Sequence, residues 1–557
     1  MLSVSAFSDL LKRQQSSVLL TIFLFGTLLF GPFELQAIDW STLFTAQDVR
    51  DHLSTDKGRA EALDFCRKLG ISKVYVEAFR DGYQPDAQAL ETARDFFRQA
   101  GLRVSGCVTT TGIGKPSSGW DVAVCYTNHK NQERLESIFR FAAGIFDEIM
   151  IDDFFFTDCQ CSECAAAKGS MSWSQYRQKL MLEMARDRVL GPAKQVNPKV
   201  KVILKFPQWY DNFQERGYIV DRETELFDRI WVGTELRDPS SDEWGHKQQY
   251  EGYFIYRWLK DAGGEKTGGG WFDPFGTDAT IYLDQALITV LAGAPEAFLF
   301  HYGSLILPQY RAQTEALAAR RQEFEELSKL VGNWSGIPAY KPVSSEPGDE
   351  PYLFDQIGML AIPLAPTARF PDKARAALFT FHSLKDVEFV TKLVGFLNSG
   401  GTALVSEGLA HALNGDPRLP SPDILNLPKD KYLLKVSEGS GNLVVLSDSL
   451  PRLAYVDSSN RIAQVSAAQW EALSELRKIV EEFTVTSPDV PPRVAVFPLG
   501  ARVCVVNFTE LPVGCRIVGL GGMVSRLRKV FGTSEASLAS DGATLRLPPH
   551  AAIVVEQ

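Results

Sequence analysis

The chain has 557 residues, enough for two to five domains at roughly 100–200 residues each. Its 45% hydrophobic, 23% charged and 11% aromatic content excludes disorder, collagen-like sequence and a coiled coil over most of the length. A formal net charge of −10 with no basic stripe excludes a nucleic-acid partner, and eight cysteines are too few for a disulfide scaffold.

Lys12 and Arg13 precede an apolar run over 18–30, which is short for a span of about 20 residues and ends at Gly31-Pro32. With Leu35-Gln36-Ala37 as cleavage site, residues 1–37 read as a secretory signal peptide; an uncleaved anchor is the alternative. The mature chain is then expected to be secreted or periplasmic. No other run reaches 18 apolar residues, so no membrane span is expected after cleavage.

From 38 to 335 helix and strand patterns alternate. A short strand candidate lies near 40–45, and further strands are expected at 72–79, 102–108, 148–151, 200–206, 229–232, 271–273 and 297–300. Helices are expected between them, at 58–69, 90–100, 132–143 and 173–190, and a last one at 312–330. This alternation implies parallel strands with crossover helices, hence a (β/α)8 TIM barrel. A doubly wound sheet is the alternative, but no Gly-rich phosphate loop follows the first strand. Residues 333–351 are rich in Pro, Gly and Ser and read as a linker. A second α/β domain is expected over 350–465, with strands at 357–364 and 403–405 about a helix at 387–398. After a helix at 467–483, short β-rich runs over 485–557 suggest a small terminal β-sandwich.

A barrel's active site lies at the C-terminal ends of its strands. The polar residues ending the apolar runs include Glu77 and Arg80, Asp152 and Asp153, and Lys205 with Trp209. Glu235 with Asp238, Trp271 with Asp273, and His301 with Tyr302 complete the set. Acids and aromatics therefore converge on one face. Asp152-Asp153 is the sharpest pair, because Ile149-Met150-Ile151 commits the strand to the wall and delivers two carboxylates to its mouth. Side chains alternate along a strand, so only one of the two points at the barrel axis. Asp153, further out, is the candidate general acid, and Asp273 or Glu235 the second carboxylate. Trp209 and Trp271 are candidate sugar platforms. Glu77, Arg80, Lys205, Asp238, His301 and Tyr302 are candidate substrate contacts. No cofactor is expected for catalysis.

Cys159-x-Cys161-x-x-Cys164 follows the Asp152-Asp153 strand, and Cys125 lies in the loop before it. Four thiolates at such spacing suit a closed structural zinc, whereas an exported chain favours one or two disulfides. Cys504 and Cys515, flanking a turn, suit a disulfide; Cys66 and Cys107 read as buried thiols.

A barrel strand ending in an acid, then Cys-x-Cys-x-x-Cys with one upstream Cys, resembles glycoside hydrolase family 42, the zinc-containing β-galactosidases of clan A. Residues 393–405 look like that family's amidotransferase-like middle domain. The resemblance implies a TIM barrel, then an amidotransferase/flavodoxin-like α/β domain, then a small β domain. That family ends its fourth strand in Asn-Glu, with Glu as acid/base, where this chain has Asp152-Asp153. Its nucleophile on the seventh strand would fall at Asp273. Retaining α-glycosidase barrels instead carry acids on the fourth and sixth strands, which would match Asp153 with Glu235 or Asp238. Middle domains of this kind mediate trimers, so the resemblance also implies a homo-oligomer, trimer or dimer.

These features together imply a divergent barrel glycosidase acting on an oligosaccharide or polysaccharide. The competing expectations are a non-catalytic carbohydrate-binding barrel and a scaffold module of a surface complex. Two acids facing one aromatic-lined pocket would favour the enzyme; acids buried in arginine pairs would favour the binder.

Overall fold

The structure, a computed structural model, describes residues 37–419, 427–428, 431–438, 440–456, 465–519, 522–523 and 526–556. The expected signal peptide, but for Ala37, lies outside the described residues.

Eight parallel strands close into a barrel in chain order. They are β1 (Asp39–Phe44), β2 (Lys73–Phe79), β3 (Arg103–Val108), β4 (Glu148–Ile151), β5 (Lys201–Phe206), β6 (Arg229–Gly233), β7 (Thr267–Phe272) and β8 (Glu296–Leu299). The weak candidate near residue 40 is thus the strand that closes the ring, pairing with both β2 and β8. Several helices start at a side-chain cap just after the loop that leaves a strand. Thr45, Asp86, Asn128 and Asp278 each accept a backbone N–H of the first turn.

Each strand sends one residue to the middle of the barrel: Leu43, Tyr75, Cys107, Met150, Ile203, Trp231, Trp271 and Phe298 form one buried cluster. The indole of Trp231 fits because β7 is Gly268-Gly269-Gly270 at that level. A Cβ on Gly268 or Gly269 would stand 2.1 or 2.2 Å from its ring. Below the cluster, Lys73 Nζ lies 2.8 Å from Glu148 and 3.3 Å from Glu296, closing the N-terminal end with ions. The C-terminal end is open.

The expected linker contributes a strand, β9 (Ile337–Tyr340), to a six-stranded sheet. Its other members are β10 (Leu364–Thr367), β11 (Ala376–Phe379), β12 (Thr402–Ser406), β13 (Leu433–Glu438) and β14 (Gly441–Leu446), in the order β10-β9-β11-β12-β14-β13. The strand expected at 357–364 is instead the end of a helix, Leu353–Gly358, followed by a buried coil into β10. Ile357, Met359, Leu360 and Ile362 are all buried, and a short apolar run buried on every side carries no period to tell helix from strand. The helix expected to end at 190 continues through a π-turn, Ala185–Leu190, to Val196.

At the C-terminus a four-stranded sheet (Val494–Leu499, Arg502–Asn507, Ala551–Glu556, Arg528–Gly532) faces a three-stranded one (Val513–Arg516, Thr544–Leu547, Ser537–Leu538). Val496, Val505 and Ile553 from the first meet Cys515, Leu545 and Leu547 from the second in one core, as in a sandwich. Cys504 and Cys515 are both free, in different clusters, so the expected disulfide between them is absent. Cys66 and Cys107 are buried thiols. No helix among the described residues is long and apolar enough to cross a membrane.

Candidate active site

The open end of the barrel holds a cavity of about 900 Å³, near the upper limit of roughly 1,000 Å³ for small-molecule sites. The period of two along each strand decides what reaches it. Met150 points inward, so Asp152 does as well, as do Glu77 above Tyr75, Thr109 above Cys107 and Lys205 above Ile203.

Two linked charge clusters result. In the first, Arg80 donates to Glu77 at 2.8 Å and to Asp152 Oδ2 at 2.6 Å. Thr109 Oγ1 lies 2.6 Å from Glu77 and 3.0 Å from Asp152. Burial works against the Asp152 carboxylate, but Arg80 and Lys205 outweigh it and hold the group down at about 2. In the second cluster, Lys205 Nζ donates to Asp153 Oδ2 at 2.8 Å and to Glu235 Oε1 at 2.6 Å. These two acceptor oxygens are therefore at most about 5.4 Å apart. Burial pushes Asp153 well above the carboxylate range despite Lys205, with Asp152 and Glu235 adding to the rise. Glu235 is also raised, by burial and then by Asp273, against the pull of Lys205. Burial disfavours the Lys205 ammonium, yet Asp153, Glu235 and Asp152 keep it charged. Adjacent carboxylates are thus shifted in opposite directions, Asp152 down and Asp153 up.

The other expected residues divide by position. Asp273 lines the cavity but is paired with Arg237 at 2.9 Å and accepts from Phe275 N. His301 lines it too, its two ring nitrogens hydrogen-bonded to Asp48 and Ser304, each at 2.8 Å. Trp209 is on the wall. Trp271 touches the floor only: one face is stacked on Phe298 at 4.0 Å, and Lys205 Nζ sits 4.1 Å from the ring centre. It supports the lysine and is not a platform. Three residues leave the list of contacts. Glu77 is wholly buried beneath Arg80. Asp238 caps a turn through Ser240. Tyr302 packs outside the barrel against Phe44, His52 and Phe65.

The four cysteines meet. Cys125, Cys161 and Cys164 sulfurs are 3.7–3.8 Å apart, and those of all four residues lie within 4.8 Å of one another. A metal–sulfur bond of about 2.3 Å places the corners of a tetrahedron about 3.8 Å apart, so the set fits a closed thiolate metal site. A disulfide needs about 2.05 Å, and all four thiols are free. Among the described residues no other group of three or more such ligands comes within reach of one ion.

Sequence reasoning missed Trp120, Phe154, Phe156 and Trp244, which also line the cavity. The three phenylalanines after Asp153 were visible as an aromatic run, but nothing in the chain showed that Trp120 joins them.

The sequence model of a family described as "Probable glycosyl hydrolase, catalytic domain" matches residues 33–335, the barrel. An uncharacterized protein of Saccharolobus solfataricus is 27% identical over 402 residues; the match spans 65% of this chain and 66% of that protein, just under two thirds of its length. Among solved structures, the GH42 β-galactosidase Gan42B of G. stearothermophilus superposes with a TM-score of 0.60 at 11% identity, covering 94% of this chain and 98% of that one. An α-L-fucosidase, isoenzyme 2 of Paenibacillus thiaminolyticus, gives 0.58 at 10% identity, covering 94% and 100%. At such identities these two speak for the fold, barrel and trailing domains together.

Proposed function

Because the chain belongs to this glycosyl hydrolase catalytic-domain family, we propose that it cleaves O-glycosidic bonds of an oligosaccharide or polysaccharide with Asp153 and Glu235. The observation that carries this is the Lys205 bridge, which holds both carboxylates at the mouth of one aromatic-lined cavity. Asp152, Glu77 and Asp273 are tied to arginines; Asp153 and Glu235 are not.

Asp153, kept protonated, gives its proton to the leaving glycosidic oxygen. Glu235, whose charged form the Lys205 ammonium favours, attacks the anomeric carbon as the bond to that oxygen breaks. Asp153 then takes a proton from water, which displaces Glu235 and restores both groups. The two lysine-bound oxygens, at most about 5.4 Å apart, stand closer than the roughly 6.5–9.5 Å of inverting pairs, which favours this double displacement. Asp153→Asn and Glu235→Gln should each lower kcat by about 10²–10⁴ on a panel of aryl glycosides, with the circular dichroism spectrum unchanged. Full activity in either variant would remove that residue from the mechanism. Proton NMR of the first-formed sugar should show retained configuration; inversion would make Glu235 a base for water. The β-galactosidase and the α-L-fucosidase of this fold bear different sugars and anomeric descriptors in their names, so the panel includes both anomers of D- and L-sugars.

A structural zinc on Cys125, Cys159, Cys161 and Cys164 belongs to the same proposal, on the spacing of the sulfurs. Export through a leader over residues 1–37 belongs to it as well, tested by N-terminal sequencing of the mature protein. A homo-oligomer is tested by sedimentation.

A further inference from the structure

Trp120 is the most exposed tryptophan on the cavity wall, at 44%. It stands on an aromatic stack. Its ring centre lies 5.9 Å from Phe156 at 28° and 5.6 Å from Phe154, and Trp209 meets Phe156 edge-on at 5.3 Å. Phe154 directly follows Asp153, so the stack rises from the acid's side of the cavity.

No helix or strand carries Trp120; residues 109–128 connect β3 to the next helix, His129–Ile145. Its position is fixed otherwise. The Trp120 backbone N–H donates to Asp158 Oδ2 at 3.0 Å, and Ser117 Oγ donates to Asp158 Oδ1. Gln160 N–H donates to Ser118 Oγ at 2.8 Å. Gly119 permits this approach, since a Cβ there would stand 2.6 Å from the Asp158 carboxyl carbon. The base of the loop is closed by Cys125 N–H to Lys115 C=O, at the thiol cluster that joins Cys125 to Cys161 and Cys164. An exposed indole on a clamped loop is a built surface. Asp158 pairs with Arg216, the cation over Phe156 and Trp209, so the charge beneath these rings is balanced.

We propose that Trp120 is the platform for the sugar on the leaving-group side of the cleaved bond, and that its ligand is a neutral pyranose ring presenting its C–H face. This rests on the glycosidase reading above. The acid that protonates the leaving oxygen must stand beside the leaving sugar, and the stack begins at the residue after that acid. The cavity has room for a ring at the carboxylates and a second ring on the wall.

The test compares two leaving groups. Galactosyl, glucosyl, mannosyl and fucosyl fluorides of both anomers lose only fluoride, which is too small to reach the wall. The matching disaccharides and trisaccharides lose a sugar. For whichever glycosyl group is turned over, Trp120→Ala should lower kcat/KM for the oligosaccharide about tenfold more than for the fluoride, mostly through KM. Trp120→Phe should recover most of that difference. An equal effect on both substrates, or none on either, overturns the platform while leaving the glycosidase reading intact. Turnover of neither substrate class by the unaltered protein overturns the glycosidase reading and the platform with it.

Discussion

One residue of chain length separates Asp152 from Asp153, and it decides their roles. Alternation turns Asp152 to the barrel axis, onto Arg80, where it stays ionised down to about 2. Asp153 reaches Lys205 instead and is pushed up. Asp152 has a folded value below its ordinary 3.8, so the unfolded chain takes up its proton first. Its stabilisation is present above about pH 4 and is lost as pH falls toward 2. Asp152→Asn should therefore cost on the order of 3 kcal/mol at neutral pH, by leaving Arg80 with Glu77 alone. That gap in urea midpoint should close as pH falls from 4 toward 2. Lys205→Met removes the counter-charge that favours the Glu235 carboxylate. Its pKa then rises, and the acidic limb of kcat/KM should move to higher pH, with kcat down by at least about 10². An unmoved acidic limb would show that Glu235 is not the group that must lose its proton. The acids were legible from the sequence because each ends an apolar run. Lys205 was legible on the same ground as a candidate contact, but its bridge between the ends of β4 and β6 was not, since its partners lie 52 and 30 residues away and meet only when the strands stand side by side.

Among the elements, the glycine run at 268–270 shows how a local pattern acquires its meaning from a neighbour. By itself it resembles a turn. In the barrel it is β7, bare of side chains where Trp231 needs the space. The cysteine segment behaves differently: its spacing alone pointed to a cluster, because three ligands within six residues need little help from the fold. Cys125 joins from 34 residues earlier and ties the β3 loop to the β4 loop. Stripping metal with a chelator should therefore raise amide exchange across residues 115–125 and 157–164 while the eight strands stay protected. Metal analysis should give about one zinc per chain before treatment. Undisturbed exchange would mean that Asp158 and Ser118 hold the loop unaided.

For the whole molecule the helix Tyr250–Gly263 is the joint. A helix on the outside of a lone barrel would show a polar face, yet this one buries both flanks. Phe254 stacks on Phe354 at 4.5 Å, and Trp258 Nε1 donates to Lys341 C=O of the second unit. Tyr250 stacks on Phe497 of the terminal sandwich, and Arg493 reaches back to Gln248 and Gln249. Truncation after residue 335 should accordingly yield an insoluble barrel, since Tyr250, Phe254 and Trp258 would lose their cover. The intact chain should melt in one transition; separate transitions for barrel and tail would contradict the joint. In the intact chain Phe254→Ala should cost about 3–5 kcal/mol.

Strand–helix alternation, the acids at strand ends and the cysteine spacing were determined by the sequence alone, because each depends on neighbours within one or two turns of chain. The barrel, the trailing α/β and β units and their order follow from such local signals. The tertiary structure decided the rest: that β1 closes the ring, that Lys205 bridges Asp153 and Glu235 while Asp273 goes to Arg237, and that Trp271 lies under a lysine while Trp120 faces solvent. These are relations between strands and loops distant in sequence, and a charge or an aromatic face takes its role from what closure of the barrel sets beside it.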